Sequence, residues 1–340
     1  MPGNIVKAVG PFFGRYEQED WLGRYLQRAA EGGTAAFVCE KIMWTRTYPL
    51  APEPDPHQQV LRMAGALQGT PLDGYLGINL LNDARDDLAT RVPRHVPLPH
   101  DFSNPLLRTA LALESLDILN LGLAASGGKI THVALVMEMD YYYTLNPTDY
   151  TNLMDAVVEA RNVIKAQYPD ITVVAYFALN HLWAEGLSQA DYYERVIDGR
   201  LVNGPAAMDA LGGSTYPLGL ALEGGGYVTE PEQLPAAYYT NALDRTLTKP
   251  FHIVEAGWPS EPITLHGIEF DSTQALQERY VIDLLGRQLG YIPTSALILY
   301  FLLHDIPAGW PPEFLMFKDM GLWDADILEA KAAWIRWRDG

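Results

Sequence analysis

Short apolar runs alternate with longer amphipathic stretches along the whole chain. The apolar runs read as strands: "IVKAVG" (4–9), "TAAFVC" (34–39), "GYLGIN" (74–79), "THVALVME" (131–138), "ITVVAYF" (171–177), "AMDALGG" (207–213), "FHIVEA" (251–256) and "ALILYFL" (296–302). The stretches between them carry the helical period of apolar positions. They predict helices near 17–31, 57–68, 104–125, 148–168, 188–198, 231–247, 272–289 and 325–338. Start and stop chemistry supports several of these. Asp149 follows the turn "NPT", and Ser188 opens "SQADYYERV" with an acidic residue three positions later. Asp271 reads as a cap before a long apolar stripe that Gly290 ends.

Eight strand–helix pairs, each strand apolar enough to be covered on both faces, predict a parallel sheet. Closing eight such units gives an α/β fold of the (β/α)8 TIM-barrel type. The competing arrangement, an open doubly wound sheet, usually carries a glycine-rich phosphate turn after its first strand. Here that place reads "GPFFGRY", with neither G-x-G-x-x-G nor a Walker sequence. The Pro-rich stretches "YPLAPEPDPHQQ" and "RVPRHVPLPHDFSNP" read as loops. A single domain over residues 1–340 is therefore expected.

Of the 340 residues, 48% are hydrophobic and 19% charged, which is ample for a large core. The formal charge of −18 sets a field that repels nucleic acid and anionic lipid, so neither is an expected partner. Cys39 is the sole cysteine, so no intrachain disulfide forms, and its apolar setting "AAFVC" predicts an inert buried thiol. No long uncharged apolar run predicts a membrane span. The N-terminus lacks a basic start followed by an apolar stretch, so no secretory leader is expected.

Chemistry in this barrel sits at the C-terminal ends of the strands, and two glutamates stand there. Glu138 ends the fourth candidate strand and Glu255 the seventh. Period-two alternation puts Ala134, Val136 and Glu138 on one strand face, and Phe251, Ile253 and Glu255 on another. Glycoside hydrolysis needs two such carboxyl groups: one protonates the leaving oxygen while the other attacks the anomeric carbon or activates water. A separation of about 5 Å suits the retaining route and roughly 6.5–9.5 Å the inverting one. A rim carboxylate or ion-pair partner is the plainer reading of either glutamate alone.

"HIVEAGWPS" resembles the Glu-x-Gly-Trp-Pro-Ser signature of the family-17 glycoside hydrolases, the β-1,3-glucanases, and the order of the chain is similar to clan A of the glycoside hydrolases. "STYP" (214–217) resembles the strand-six segment, "YFLLHDI" (300–306) resembles strand eight, and "GLWDADILEAKAAWIRWR" resembles the common C-terminal motif. The resemblance implies a retaining β-glycosidase with Glu255 as nucleophile and Glu138 as acid/base. Tyr216 would then hold Glu255 ionised, with a carbohydrate as the partner and no cofactor. One departure bears on chemistry. Met137 stands where clan A has Asn, whose amide binds the sugar 2-hydroxyl in those enzymes, and a thioether cannot donate. Asn180, His181 and Asn79 are the candidates to replace it. Ile327, Leu328 and Glu329 also depart from the C-terminal motif, which is expected to concern only an outer helix.

Aromatic residues crowd the strand ends: Trp44, Tyr141 to Tyr143, Trp183, Tyr216, Trp258 and Tyr300. Flat rings at a barrel mouth can stack beneath sugars, and Trp44, Trp258 and Tyr300 are read as such platforms. Loop packing is the plain alternative for each, whereas Trp334 and Trp337 are read as core. His181 and His304 end strands and are candidates to bond sugar hydroxyls or tune a carboxylate. No dense His spacing predicts a metal. Lys41 after the second strand keeps a Schiff-base enzyme open as a weaker reading. The rival from another class is a catalytically silent barrel that binds carbohydrate or another partner.

Overall fold

The structure, a computed structural model, describes residues 6–10, 19–33, 35–41, 56–81, 85–86, 88, 102–197, 199–203, 207–246, 249–265, 267–291, 297–306, 317–324 and 329–340. In chain order the elements are β1 (Val6–Val9), α1 (Glu19–Gly32), β2 (Ala35–Lys41), α2 (Pro56–Leu67), β3 (Asp73–Asn79), α3 (Pro105–Ser126) and β4 (Ile130–Val136). There follow α4 (Met139–Leu145), α5 (Tyr150–Gln167), β5 (Thr172–Ala178), α6 (Leu179–Ser188), α7 (Tyr192–Val196), α8 (Gly199–Val202) and β6 (Ala210–Thr215). Two 3₁₀ turns (Pro217–Glu223 and Pro231–Gln233) lead to α9 (Ala237–Thr246) and β7 (Phe251–Ala256). The chain ends with β8 (Ile263–Leu265), β9 (Ile268–Phe270), α10 (Gln274–Tyr291), β10 (Leu297–Tyr300) and α11 (Ala332–Asp339). The strand order β1-β10-β7-β6-β5-β4-β3-β2 is the ring order of an α/β (β/α)8 fold.

Two compact units are distinguished by their contacts: Met1–Ala36 with Leu179–Tyr193 and Gly213–Gly340, and Phe37–Ala178 with Glu194–Gly212. In the second, β3, β4 and β5 run parallel, with Leu76 beside Val133 and Val133 beside Val173. Helix α3 packs between α2 and α5. Its start and stop are written locally. The Asn104 side chain accepts from the Leu106 amide at 3.0 Å, Pro105 sits at the first helical position, and Gly127 turns left-handed at φ 68° to close it. Asp149 precedes α5 as expected, but its carboxylate accepts from Tyr142 at 2.6 Å and Asn152 at 2.7 Å, with no side-chain bond to the first-turn amides.

In the first unit β1 pairs with β10, and β10 with β7, all parallel. The β10 strand is buried at every position, and along β7 only Glu255 is half-buried. Trp334 and Trp337 are buried as predicted, and the Lys7 ammonium donates to the Trp337 carbonyl at 2.7 Å, satisfying one of the free carbonyls that end α11. Two expectations shift. Ser188 closes α6 instead of opening a helix, its hydroxyl donating back to the Glu185 carbonyl. The cap of α10 is Thr273, whose hydroxyl accepts from the Leu276 amide, and Gly290 lies within that helix. The antiparallel pair β8–β9, turning at Gly267 with φ 79°, is a hairpin too short to register as apolar runs.

Candidate active site

The Glu255 carboxylate has a defined donor. Tyr216, the first residue after β6, gives its hydroxyl to Glu255 Oε2 at 2.8 Å. Tyr216 is itself held at both ends. Its carbonyl accepts from the Asn180 amide at 2.6 Å, and its ring meets Phe317 edge-on with centroids 5.6 Å apart. Gly257 explains why the motif has glycine two residues after the glutamate: a Cβ there would lie 3.0 Å from the Tyr216 ring and 2.7 Å from the Phe301 carbonyl. Any side chain would press on the tyrosine ring and on that backbone carbonyl together.

Asn180 is bonded within the protein at both ends of its amide: the nitrogen donates to the Tyr216 carbonyl, and the oxygen accepts from the Tyr238 hydroxyl at 2.6 Å. Tyr238 also meets the Thr215 hydroxyl at 3.1 Å. Complete burial pushes the Tyr238 phenol well above its ordinary range, so it stays protonated and able to donate. His181 faces Glu223, with Nδ1 3.2 Å from Oε2, and packs edge-on against Tyr192.

Trp258 and Tyr300 are not platforms; both are fully buried. The Trp258 indole donates to Ser272 at 3.0 Å and lies 5.4 Å from the Tyr280 ring. The Tyr300 hydroxyl is 3.3 Å from the Trp258 amide nitrogen and 3.2 Å from its carbonyl. Both residues fix the loop after β7 from inside the core, where a sugar face cannot reach them. Trp258→Phe is expected to cost about 1–3 kcal/mol of stability in a denaturant titration while leaving KM unchanged. A raised KM without loss of stability would restore the platform reading.

The same loop is anchored by a cluster the sequence reading missed. Lys331 donates to Asp305 Oδ1 at 2.6 Å and to the Ser260 hydroxyl at 2.8 Å, with the lysine 5% and the aspartate 7% exposed. The Gly321 amide completes the aspartate's shell at 2.8 Å; a Cβ on Gly321 would collide with the Asp305 backbone nitrogen at 2.1 Å. Burial raises the Asp305 carboxyl to about 7, with Lys331 acting in the opposite direction. Ser260 belongs to the "EAGWPS" motif and Lys331 to the C-terminal one, so the two are a single contact.

In the other unit, Glu138 lies two residues beyond β4 and precedes α4. Its Oε2 is 3.0 Å from Arg85 Nη2, with side chains 20% and 15% exposed. Asn79, expected to bind sugar, is fully buried. Its Oδ1 accepts from the Met137 amide and from the Leu81 amide, each at 3.2 Å. It therefore positions the backbone that leads into Glu138. Met137 is 3% exposed. Trp44 lies outside the described residues, as do the side chains of Cys39 and Lys41. Among the described residues, no group of three or more His, Cys, Asp or Glu is arranged to hold a metal, and no helix is long and apolar enough to cross a membrane.

No protein-family model and no curated protein matches the chain. Solved structures do. An exo-β-1,4-mannosidase from an Opitutaceae bacterium aligns with TM-score 0.68 and 15% identity, over 99% of this chain and 59% of its own. A GH5_18 protein from Bifidobacterium longum, in complex with Manβ1-4GlcNAc, aligns with TM-score 0.69 and 12% identity, over 99% of this chain and 77% of its own. A β-glucuronidase from Bacteroides uniformis, covalently bound to a cyclophellitol-6-carboxylate aziridine, gives TM-score 0.62 and 13% identity, over 99% and 35%. At these identities the likeness is one of fold, and the fold is the (β/α)8 barrel expected from the strand pattern.

Proposed function

We propose that this chain is a retaining glycoside hydrolase acting on a β-linked glucan or oligosaccharide, a single (β/α)8 domain over residues 1–340 with no cofactor. Glu255 is the nucleophile and Glu138 the acid/base. The observation that carries the reading is the 2.8 Å bond from the Tyr216 hydroxyl to Glu255 Oε2. A donor on one oxygen favours the charged form that a nucleophile needs. The fold supports the reading, since Glu255 lies near the end of β7 and Glu138 just after β4, at the strand ends where such folds place chemistry. So do the names of the neighbouring structures, a mannosidase and a glucuronidase among them.

In the first step Glu138 gives its proton to the glycosidic oxygen as that C–O bond breaks, and Glu255 forms a bond to the anomeric carbon. In the second, Glu138 takes a proton from water, whose oxygen displaces Glu255. A 2-deoxy-2-fluoro aryl β-glycoside slows the second step, so the enzyme is expected to gain one glycosyl mass, mapped by peptide sequencing to 251–261 and there to Glu255. Turnover of the parent glycoside with no adduct, or an adduct elsewhere, would rule out this assignment.

Met137 favours a second reading, a barrel that binds carbohydrate without cleaving it. Its buried thioether offers no amide to a 2-hydroxyl. Oligosaccharides that raise the melting temperature without being cleaved would select this reading.

A further inference from the structure

Glu138 has two oxygens, and acid/base catalysis requires that one of them reliably carry the proton. The surroundings decide which. Glu138 is clamped on both sides along the chain. The amide of Met137 before it donates to Asn79, and Asp140 after it accepts from the Ala178 amide at 2.7 Å. The Arg85 segment is fastened to the same element, because the Asn146 side chain at the end of α4 donates to the Asp86 carbonyl. Arg85 and Glu138 both take left-handed backbone angles, φ 60° and 51°, which only a strongly determined local structure imposes on residues with side chains. The result is a guanidinium 3.0 Å from one named oxygen of a half-buried carboxyl group.

A guanidinium donates and never accepts. Oε2, facing Arg85, is therefore an acceptor throughout the cycle, and the proton in transit belongs to Oε1. We propose that Arg85 is the positioning residue of Glu138: it assigns the proton to Oε1 and holds the carboxylate after that proton has left. This rests on the acid/base role proposed above for Glu138. In the first step the Oε1–H bond breaks, the leaving oxygen gains the proton and keeps the electron pair of the broken C–O bond, and the negative charge left on Glu138 faces Arg85. In the second step Oε1 takes the proton of the attacking water. An anchor of this kind matters in proportion to how much the leaving group needs a proton, whereas a purely structural role affects all leaving groups alike.

The test pairs phenyl with 2,4-dinitrophenyl β-D-glucosides and β-D-mannosides and compares kcat/KM, which reports the first step. Arg85→Met keeps the alkyl stem and removes the fork; Arg85→Lys keeps one donor. Arg85→Met is expected to lose about 10–100-fold on the phenyl glycoside and less than about threefold on the dinitrophenyl one, with Arg85→Lys between wild type and Met. Glu138→Ala calibrates the comparison, since removing the acid itself must show the same leaving-group split. A split in Glu138→Ala with equal losses, or none, in both Arg85 variants overturns the role of Arg85 and leaves that of Glu138 standing. No split in Glu138→Ala, or no turnover of any substrate by wild type, overturns the parent reading and this one with it. Should Arg85→Met fail to fold, Arg85→Lys decides on the same ratio.

Discussion

Glu255→Gln is expected to lower turnover of an aryl β-glycoside by at least about 10³-fold and up to about 10⁶-fold, the scale reached when a covalent nucleophile is removed, with stability changed by less than about 1 kcal/mol. The substitution is close to isosteric. Glu255 is half-buried at the end of β7, and a carboxamide oxygen there can still accept from the Tyr216 hydroxyl at the position now 2.8 Å away. What disappears is the charge. A neutral amide cannot form a stable ester to the anomeric carbon, so the two-step route closes, while the side chain still fills its space. The rate and the melting temperature should therefore separate. A loss of less than tenfold would remove Glu255 from the chemistry; an equal collapse of rate and stability would make it a structural carboxylate. Glu138→Gln should also be slow, but its loss depends on the leaving group, and that of Glu255→Gln does not. The two residues are told apart by kinetics alone.

The parts legible in the sequence are those written in local patterns. The "FHIVEA" run coincides with β7 because a strand buried on both faces is a continuous apolar run bounded by a turn. Asn104-Pro105 and Gly127 mark α3 because caps are local chemistry. Glu255 and Tyr216 stand out through their motifs, and the bond between them follows from the fold those motifs imply. Illegible were contacts between segments that look unremarkable alone. Arg85 sits in "NDARDD", a polar loop without periodicity, and only the fold brings it to Glu138. Trp258 misleads because an aromatic next to a glutamate reads as a sugar platform, whereas its burial is decided by Ser272, Gln277 and Tyr280 from later in the chain. Asn79 and Asn180 show the same ambiguity: amides at strand ends suit a ligand and a neighbouring backbone equally, and here the Asn79 oxygen takes two backbone amides while the Asn180 amide takes one backbone carbonyl. Lys331 was hidden in what reads as an outer-helix motif.

Lys331→Met is expected to destabilise the protein by about 3–5 kcal/mol at alkaline pH, the cost of leaving a buried charge without its partner, and by distinctly less in acid. Met matches the stem of Lys but cannot donate to Asp305, Ser260 or the Asp319 carbonyl. The pH dependence follows from Asp305. Burial raises its carboxyl from the ordinary 3.8 to about 7 in the folded chain. Between those values the folded state keeps a proton that the unfolded state has lost, so this group's contribution to stability is full below about 3.8 and is lost as pH rises through about 7. Below about 7 folded Asp305 is neutral, and removing Lys331 leaves a protonated carboxyl that still accepts from the Gly321 amide. Above about 7 wild-type Asp305 is charged and paired; without Lys331, which pulls that value down, the carboxyl either stays buried as an unpaired charge or holds its proton against the pH, and both cost stability. Denaturant titrations of wild type and variant at about pH 5 and about pH 8 should show the gap widening with pH. Asp305→Asn in the same background should close most of the alkaline gap, because no charge is then left to strand. A gap independent of pH would mean that Lys331 acts through packing alone, and that the loop after β7, which carries Gly257 and Trp258, is held without the help of this ion pair.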